Sequence, residues 1–334
     1  MKKTLYILQD GQLHRKDNSL YFESEKGRKF IPVEGTNDIF IFGNVRMSKR
    51  FLDFCTQKRI PVHYFDISGN YIGTYYPREF YNSGHIIIKQ VEFYLNKEKR
   101  LVLAKTIANG YLEQCSKIIK YYINRLQDTN QEKLKETCYK LGRAKASLDK
   151  ANIDEMMSIV ENVEKAYYNS FNFIFNNPDF IDGGNKNCIE NMRKKILIKM
   201  GESMGLAIVL SEIYKTHLDP RIGYFHNADI ETFPLCLDIL YIFKPIMIHR
   251  LIFTLVNKSM VSKNDFKRYK DSIVLTMEGK AKFITELDKR MRTTVKHRYI
   301  GRHVSYRRII RLELYKIQKH IIEGKDYVPY QTLW

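Results

Sequence analysis

An α+β chain, with a small N-terminal antiparallel β domain followed by a larger all-α-helical C-terminal domain, is the architecture the sequence predicts. Three observations predict it. Up to about residue 80, short β-branched and aromatic runs alternate with turn residues. From about Ile86 the apolar residues recur near i, i+3, i+4 and i+7. The length of 334 residues suits about two domains of ordinary size. The expected division is residues 1–80 and residues 86–334.

Four short runs, TLYILQD, SLYFES, RKFIPV and DIFIFG, read as strands, with DGQ, KDNS, EKGR and EGTND as turns. SKRFLDFCTQKR is a short helix, and PVHYFDISGNYIGTYYP returns to strand, turn and strand. Helical periodicity then runs through VEFYLNKEKRLVLAKTIANGYLEQCSKIIKYYINRLQ, where Gly110 marks tight packing or a mild bend. A second, charged helix follows, and a third opens at Asn152–Ile153–Asp154 and carries Glu161. The fourth is NMRKKILIKMGESMGLAIVLSEIYKT, and FPLCLDILYIFKPIMIHRLIFTLVNK reads as a buried helix pair broken at Pro245. The remainder reads as helical and basic.

Composition narrows the function. No run approaches ~18 apolar residues without charges, so no membrane span is expected. The N-terminus lacks a signal-peptide pattern, and the five scattered cysteines form no CxxC pair, so a reducing cytoplasm is the expected setting. Lys plus Arg is 56 against 37 for Asp plus Glu, a net charge of +19 that favours a polyanionic partner. Between Lys289 and Lys319 stand eleven Lys or Arg and one acid, Glu313, a density suited to phosphate contacts. No Walker loop, GxSxG elbow or HExxH motif is present.

Three residues are candidates for a shared metal: Glu161, His226 and Asp238. Alone, a helical Glu is ordinarily a solvated face residue, and a loop His ordinarily ligates nothing. Asp238 differs, because it stands among Leu235, Leu237, Ile239 and Leu240, where a carboxylate requires a partner. A metal, an Arg or a Lys would serve, and His249–Arg250 offer a structural alternative. Phosphodiester chemistry gives the three a common purpose, since Mg²⁺ or Mn²⁺ stabilises charge on phosphorus and activates a hydroxyl.

The chain resembles the CRISPR-associated spacer-integration endonuclease family, the catalytic integrase subunit of the CRISPR adaptation complex. The resemblance runs from end to end, through MKKTLYILQDGQLHRKDNSLYFE, KFIPVEGTNDIFIFG, GTYYPREFYNSGHIIIKQVEFYL, IDEMMSIVENVEKAYYNSF, LSEIYKTHLDPRIGYFH, LDILYIFKP and KHRYIGRHVSYRRIIRLELYK. It implies a homodimer joined largely through the β domains, a small companion adaptation protein, and double-stranded DNA partners, the protospacer and the CRISPR repeat. The implied reaction is metal-dependent transesterification by a DNA 3′-hydroxyl. Glu161 stands at the family's I-E-G-like motif and His226 at its Y-L-H-E-P-like motif. In the L-D-x-x-[DE]-x-F-like motif Asp238 takes the first acid, and Tyr241 falls on the second, which the family uses as metal ligand.

Asp238, sharing a helix face with Tyr241, is the expected substitute for that third ligand. Alignment on Gly201 puts Cys188, Ile189 and Glu190 in place of Arg-Pro-Pro, and Lys195 and Lys199 in place of Asn and Ser. Arg298, Arg302, Arg307, Arg308 and Arg311, with Lys195 and Lys199, are the expected DNA contacts. The alternative reading is a catalytically impaired DNA-binding or scaffold subunit. A nonspecific nuclease with no adaptation role is the third.

Overall fold

Residues 2–16, 19–78, 81, 83–126, 129–182, 188–228, 232–270, 272–297 and 300–332 are described by a computed structural model of the chain. The first elements are β1 (Lys3–Ile7), β2 (Gly11–Lys16), β3 (Ser19–Ser24), β4 (Gly27–Ile31), β5 (Thr36–Ile41), β6 (Val45–Met47), α1 (Lys49–Lys58), β7 (Val62–Phe65) and β8 (Tyr71–Tyr75). They build two four-stranded sheets, ordered β1-β5-β7-β8 and β4-β3-β2-β6. A strand-rich N-terminal part and a larger helical remainder are therefore present, as the sequence predicts.

The expected antiparallel pairing holds for β2 with β3, β3 with β4 and β7 with β8, and is corrected for β1 with β5, β5 with β7, and β2 with β6, which run parallel. The reason is connectivity. The meander β2–β3–β4 lies between β1 and β5, so β5 reaches β1 only by a crossover, and crossovers give parallel strands. Every residue of β5 is buried, which explains the unbroken apolar run Ile39–Phe40–Ile41. GQLHRK, whose first two residues fall in the expected DGQ turn and whose last residue falls in the expected KDNS turn, is strand β2 because β3 and β6 pair with its two edges.

The remainder comprises α2 (Gly84–Leu95), α3 (Lys97–Ile123), α4 (Thr129–Leu148), α5 (Ile153–Asn169), α6 (Phe171–Ile174), α7 (Ile189–Ile213), α8 (Pro234–Lys244), α9 (Arg250–Asn257), the hairpin β9 (Phe266–Tyr269) and β10 (Ser272–Leu275), α10 (Met277–Arg292), the hairpin β11 (Thr294–Lys296) and β12 (His303–Ser305), and α11 (Tyr306–Glu323). The two hairpins correct the expectation of an all-helical C-terminal part. The long periodic stretch divides at Asn96, whose side chain accepts from the Lys99 amide at 3.0 Å and starts α3.

Pro245 does not separate α8 from α9. A π-helical turn, Pro245–His249, joins them and widens the backbone where the proline ring would otherwise clash. Pro234–Asn257 is the one described helix long and apolar enough to cross a membrane, and 83% of its apolar window is buried inside the fold. Gly205 of α7 permits close packing on α8, since a Cβ there would lie 2.7 Å from Leu240. This fixes α7 beside the helix that carries Asp238 and Tyr241.

A buried polar network joins the strands to the helices. Arg307 on α11 donates to Glu212 on α7 at 2.7 Å and to Thr4 on β1 at 2.6 Å, and pairs with Asp38 on β5. Ser211 donates to Asp38 at 2.7 Å and stands 2.7 Å from Nε2 of His63, whose Nδ1 is 2.7 Å from the Thr74 hydroxyl. The Ser211 proton is committed to Asp38, so Nε2 of His63 carries the proton and Nδ1 accepts. Burial pushes the His63 pKa down to about 4, against a weaker upward pull from Asp38 and further lowering by Arg307 and Lys215.

His63 is therefore neutral in the fold, while an unfolded histidine titrates near ~6.5. Burial also holds His249 well below its ordinary value. Between about pH 6.5 and 4 the unfolded chain binds more protons, so stability is full above that window and is lost as pH falls through it. Thermal melts between pH 7.5 and 4.5 should show a falling midpoint, with a shallower dependence in His63→Gln.

Candidate functional site

Gly223 lies against the start of α8, where a Cβ would sit 2.6 Å from Pro234, so the segment before His226 passes close over that helix. Beneath it is Asp238, fully buried. Its Oδ2 accepts from the Tyr224 amide at 2.6 Å and the Phe225 amide at 3.2 Å. Its Oδ1 accepts from the His226 amide at 2.9 Å and lies 2.8 Å from His226 Nδ1. The partner that a buried carboxylate requires is thus a turn of backbone together with an imidazole. The pairing puts the imidazole proton on Nδ1 and leaves the lone pair on Nε2. His226 is itself buried, and its ring meets the Tyr241 ring edge-on, with centroids 4.6 Å apart.

Beyond Tyr241 the chemistry changes sign. Lys244, one turn further along α8, is buried, and its Nζ lies 2.5 Å from Glu164 Oε1 and 3.5 Å from Glu202 Oε1. The ammonium stands 4.1 Å from the Tyr241 ring centroid, 4.9 Å from that of Tyr111 and 5.9 Å from that of Tyr168. Tyr111 donates to Glu164 at 2.6 Å and Tyr168 to Glu202 at 3.2 Å. Burial alone would lower the Lys244 pKa, but Glu164, Tyr241 and Glu202 outweigh it and raise it. Burial likewise works to raise Glu164, and Lys244 overcomes it, so that carboxyl is held below its ordinary value. Burial, partly offset by Lys244, pushes the Tyr241 phenol up to about 12, so it is a neutral hydroxyl at physiological pH.

Glu161 is exposed on α5, one turn before Glu164 on the same face, and its charge acts on the Tyr241 phenol. The structure therefore joins His226 to Asp238 directly and brings Glu161 to the Tyr241 side. Among the described residues, no three His, Cys, Asp or Glu side chains gather so as to hold a metal ion. Lys244, Glu164 and Glu202 are absent from the sequence-based set. For two of them the signal was helical spacing: Glu164 follows Glu161 by three, and Lys244 follows Tyr241 by three.

A cleft of about 910 Å³ lies between the β part and α11, lined by Lys2, Lys58, Arg59, Arg302, Arg308 and Arg311 among others. Arg302 and Arg308 are exposed there. Arg311 borders it with one side on Glu212, at 2.6 Å. Arg307 corrects the composition-based expectation: it is buried and its charge is met by Asp38 and Glu212, so it serves the fold. Arg298 lies outside the described residues. Lys195 and Lys199 are exposed on α7, on the face that continues to Glu202.

The family model described as CRISPR associated protein Cas1 matches residues 5–289. A protein described as CRISPR-associated endonuclease Cas1 2, from Thermodesulfovibrio yellowstonii, is 46% identical over 335 residues, covering 100% of both chains. The solved structure of a Cas1 protein from Thermotoga maritima has a TM-score of 0.83 at 35% identity, over 99% of this chain and 100% of that one. A chain of a Cas6-RT-Cas1–Cas2 complex has a TM-score of 0.83 at 13% identity, over 100% of this chain and 36% of its own, a likeness of fold.

Asp238→Ala should leave three amides and an imidazole N–H without their acceptor, at a cost of about 3–5 kcal/mol. Urea unfolding should register that loss. Lys195→Ala, on an exposed face, should stay within about 0.5 kcal/mol of the parent.

Proposed function

The chain belongs to the CRISPR-associated protein Cas1 family, and we propose that it works in CRISPR adaptation as an integrase-family subunit that binds DNA. The observation that carries this reading is 46% identity, across the whole chain, to a relative described as a CRISPR-associated endonuclease. The basic cleft supports it physically: its cations face a polyanion, and their phosphate contacts would hold DNA without reading its sequence. The partners of this reading are protospacer and repeat DNA, a small companion protein such as the Cas2 of the assembly with a like fold, and a second copy of the chain. The β part, residues 1–80, would serve the dimer, and the helical part, residues 86–334, the DNA.

Strand joining of this kind needs charge stabilised at phosphorus and an activated 3′-hydroxyl. Mg²⁺ or Mn²⁺ would supply both, and Glu161 and His226 are the two residues of this chain suited to hold one. Among the described residues no third donor joins them. Both oxygens of Asp238 are filled by the 224–226 turn, which makes it a positioning residue for His226. Tyr241 is a neutral phenol beside a lysine. The donor set does not fit the ion, and this favours, as a second reading, a subunit that holds DNA with weakened or absent joining.

The test uses the full chain, its companion protein, a protospacer duplex and repeat-bearing DNA, in Mn²⁺ and in EDTA. DNA binding that weakens with salt and survives EDTA is expected, and its absence would overturn the proposed role. Joined product that disappears in Glu161→Ala assigns strand transfer to this chain; binding without joined or cleaved product assigns the holding role. Arg302→Ala and Arg308→Ala should each lower the salt slope by about 1 and weaken binding alike on all sequences. Arg307→Ala should instead lower the thermal midpoint.

A further inference from the structure

We infer that Lys244 is the resident cation of this site, its ammonium taking the role that a divalent ion would hold between α5, α7 and α8. The inference rests on the same site as the proposed function, but its test reads the site's occupant and not its activity. The first support is charge matching. Glu164 on α5 and Glu202 on α7 both turn to Lys244, at 2.5 Å and 3.5 Å, and each also accepts a tyrosine hydroxyl. Their oxygens are thereby directed at an ammonium already in place. The second is enclosure. Three tyrosine rings stand within 6 Å of Nζ, at 4.1, 4.9 and 5.9 Å, and Lys244 is 4% exposed.

A divalent cation requires several oxygen donors, and an ammonium that already occupies two carboxylates both repels it and withholds those oxygens. Asp238 cannot be recruited without stripping the acceptor from three amides and His226. Glu161 and His226 remain, one acting on the Tyr241 phenol through its charge and the other meeting its ring edge-on, beside a site whose positive charge is built into the chain. The arrangement is self-consistent: the position three residues before Lys244 is a phenol, whose ring face attracts the ammonium, and the carboxylate of Glu164 neutralises it.

The experiment is Mn²⁺ titration of the full chain, followed by the free-ion electron paramagnetic signal and by thermal melts. The parent should leave the free-Mn²⁺ signal as in buffer and show no shift of its midpoint at millimolar Mn²⁺. Saturable one-site binding that disappears in Glu161→Gln would overturn the inference. Lys244→Met removes the ammonium and keeps the length, leaving Glu164 and Glu202 without a cation. It should melt lower than the parent and gain at least about 5 °C on Mn²⁺ addition, whereas Lys244→Arg should show no gain. A folded Lys244→Met protein indifferent to Mn²⁺ would also overturn the inference. Should Lys244→Met not fold, the parent titration decides alone. DNA binding measured in EDTA on the same samples separates the two ideas: its loss counts against the adaptation role and leaves the Mn²⁺ result standing.

Discussion

One guanidinium holds the two parts of this chain together. Arg307 projects from α11 into the space between β5 and α7 and meets Asp38 and Glu212 at once. A buried ion pair returns its desolvation cost only when geometry and additional hydrogen bonds complete it. Here they do: Lys215 adds to Glu212 at 2.9 Å and reaches Asn37 at 2.6 Å, and Ser211 adds to Asp38. Burial works against the ionised form of Glu212, yet Lys215, Arg307 and Arg311 overcome it and hold the carboxyl below its ordinary range. The end of α7 is thereby locked to the β part. The chain that leaves α7 there is the one that turns over α8 and delivers His226 to Asp238.

Much of this was legible in sequence, and the gaps have physical causes. Periodicities of 2 and 3.6 report which face an element buries, so strands and helices emerge from local residues. They say nothing of which strand lies beside which, and the parallel pairs arise from a crossover that spans a whole meander. Composition located a basic segment correctly as a run of residues. It could not divide that run into charges facing solvent, such as Arg308, and charges facing inward, such as Arg307. The acids that neutralise Arg307 stand 269 and 95 residues away, at Asp38 and Glu212. Asp238 was recognisable as a carboxylate that needed a partner. The partner was backbone amide, which has no letter in a sequence.

The site therefore has two halves held in different ways. The half built by Asp238 and the 224–226 turn keeps its hydrogen bonds whether or not an ion is near, because the carboxylate also satisfies buried amides that would otherwise be orphaned. The half formed by α5, α7 and Tyr241 is instead held by side chains, Glu164 and Glu202 meeting Lys244 and two tyrosine hydroxyls. A lone lysine there would be expelled by desolvation, and a lone Glu164 would suffer the same fate. As a pair, each supplies what the other lacks, and the tyrosine faces complete the shell. Cation and carboxylate thus balance each other within the fold. The basic cleft beside α11 lies in a different part of the fold, and its attraction for a polyanion is independent of that balance.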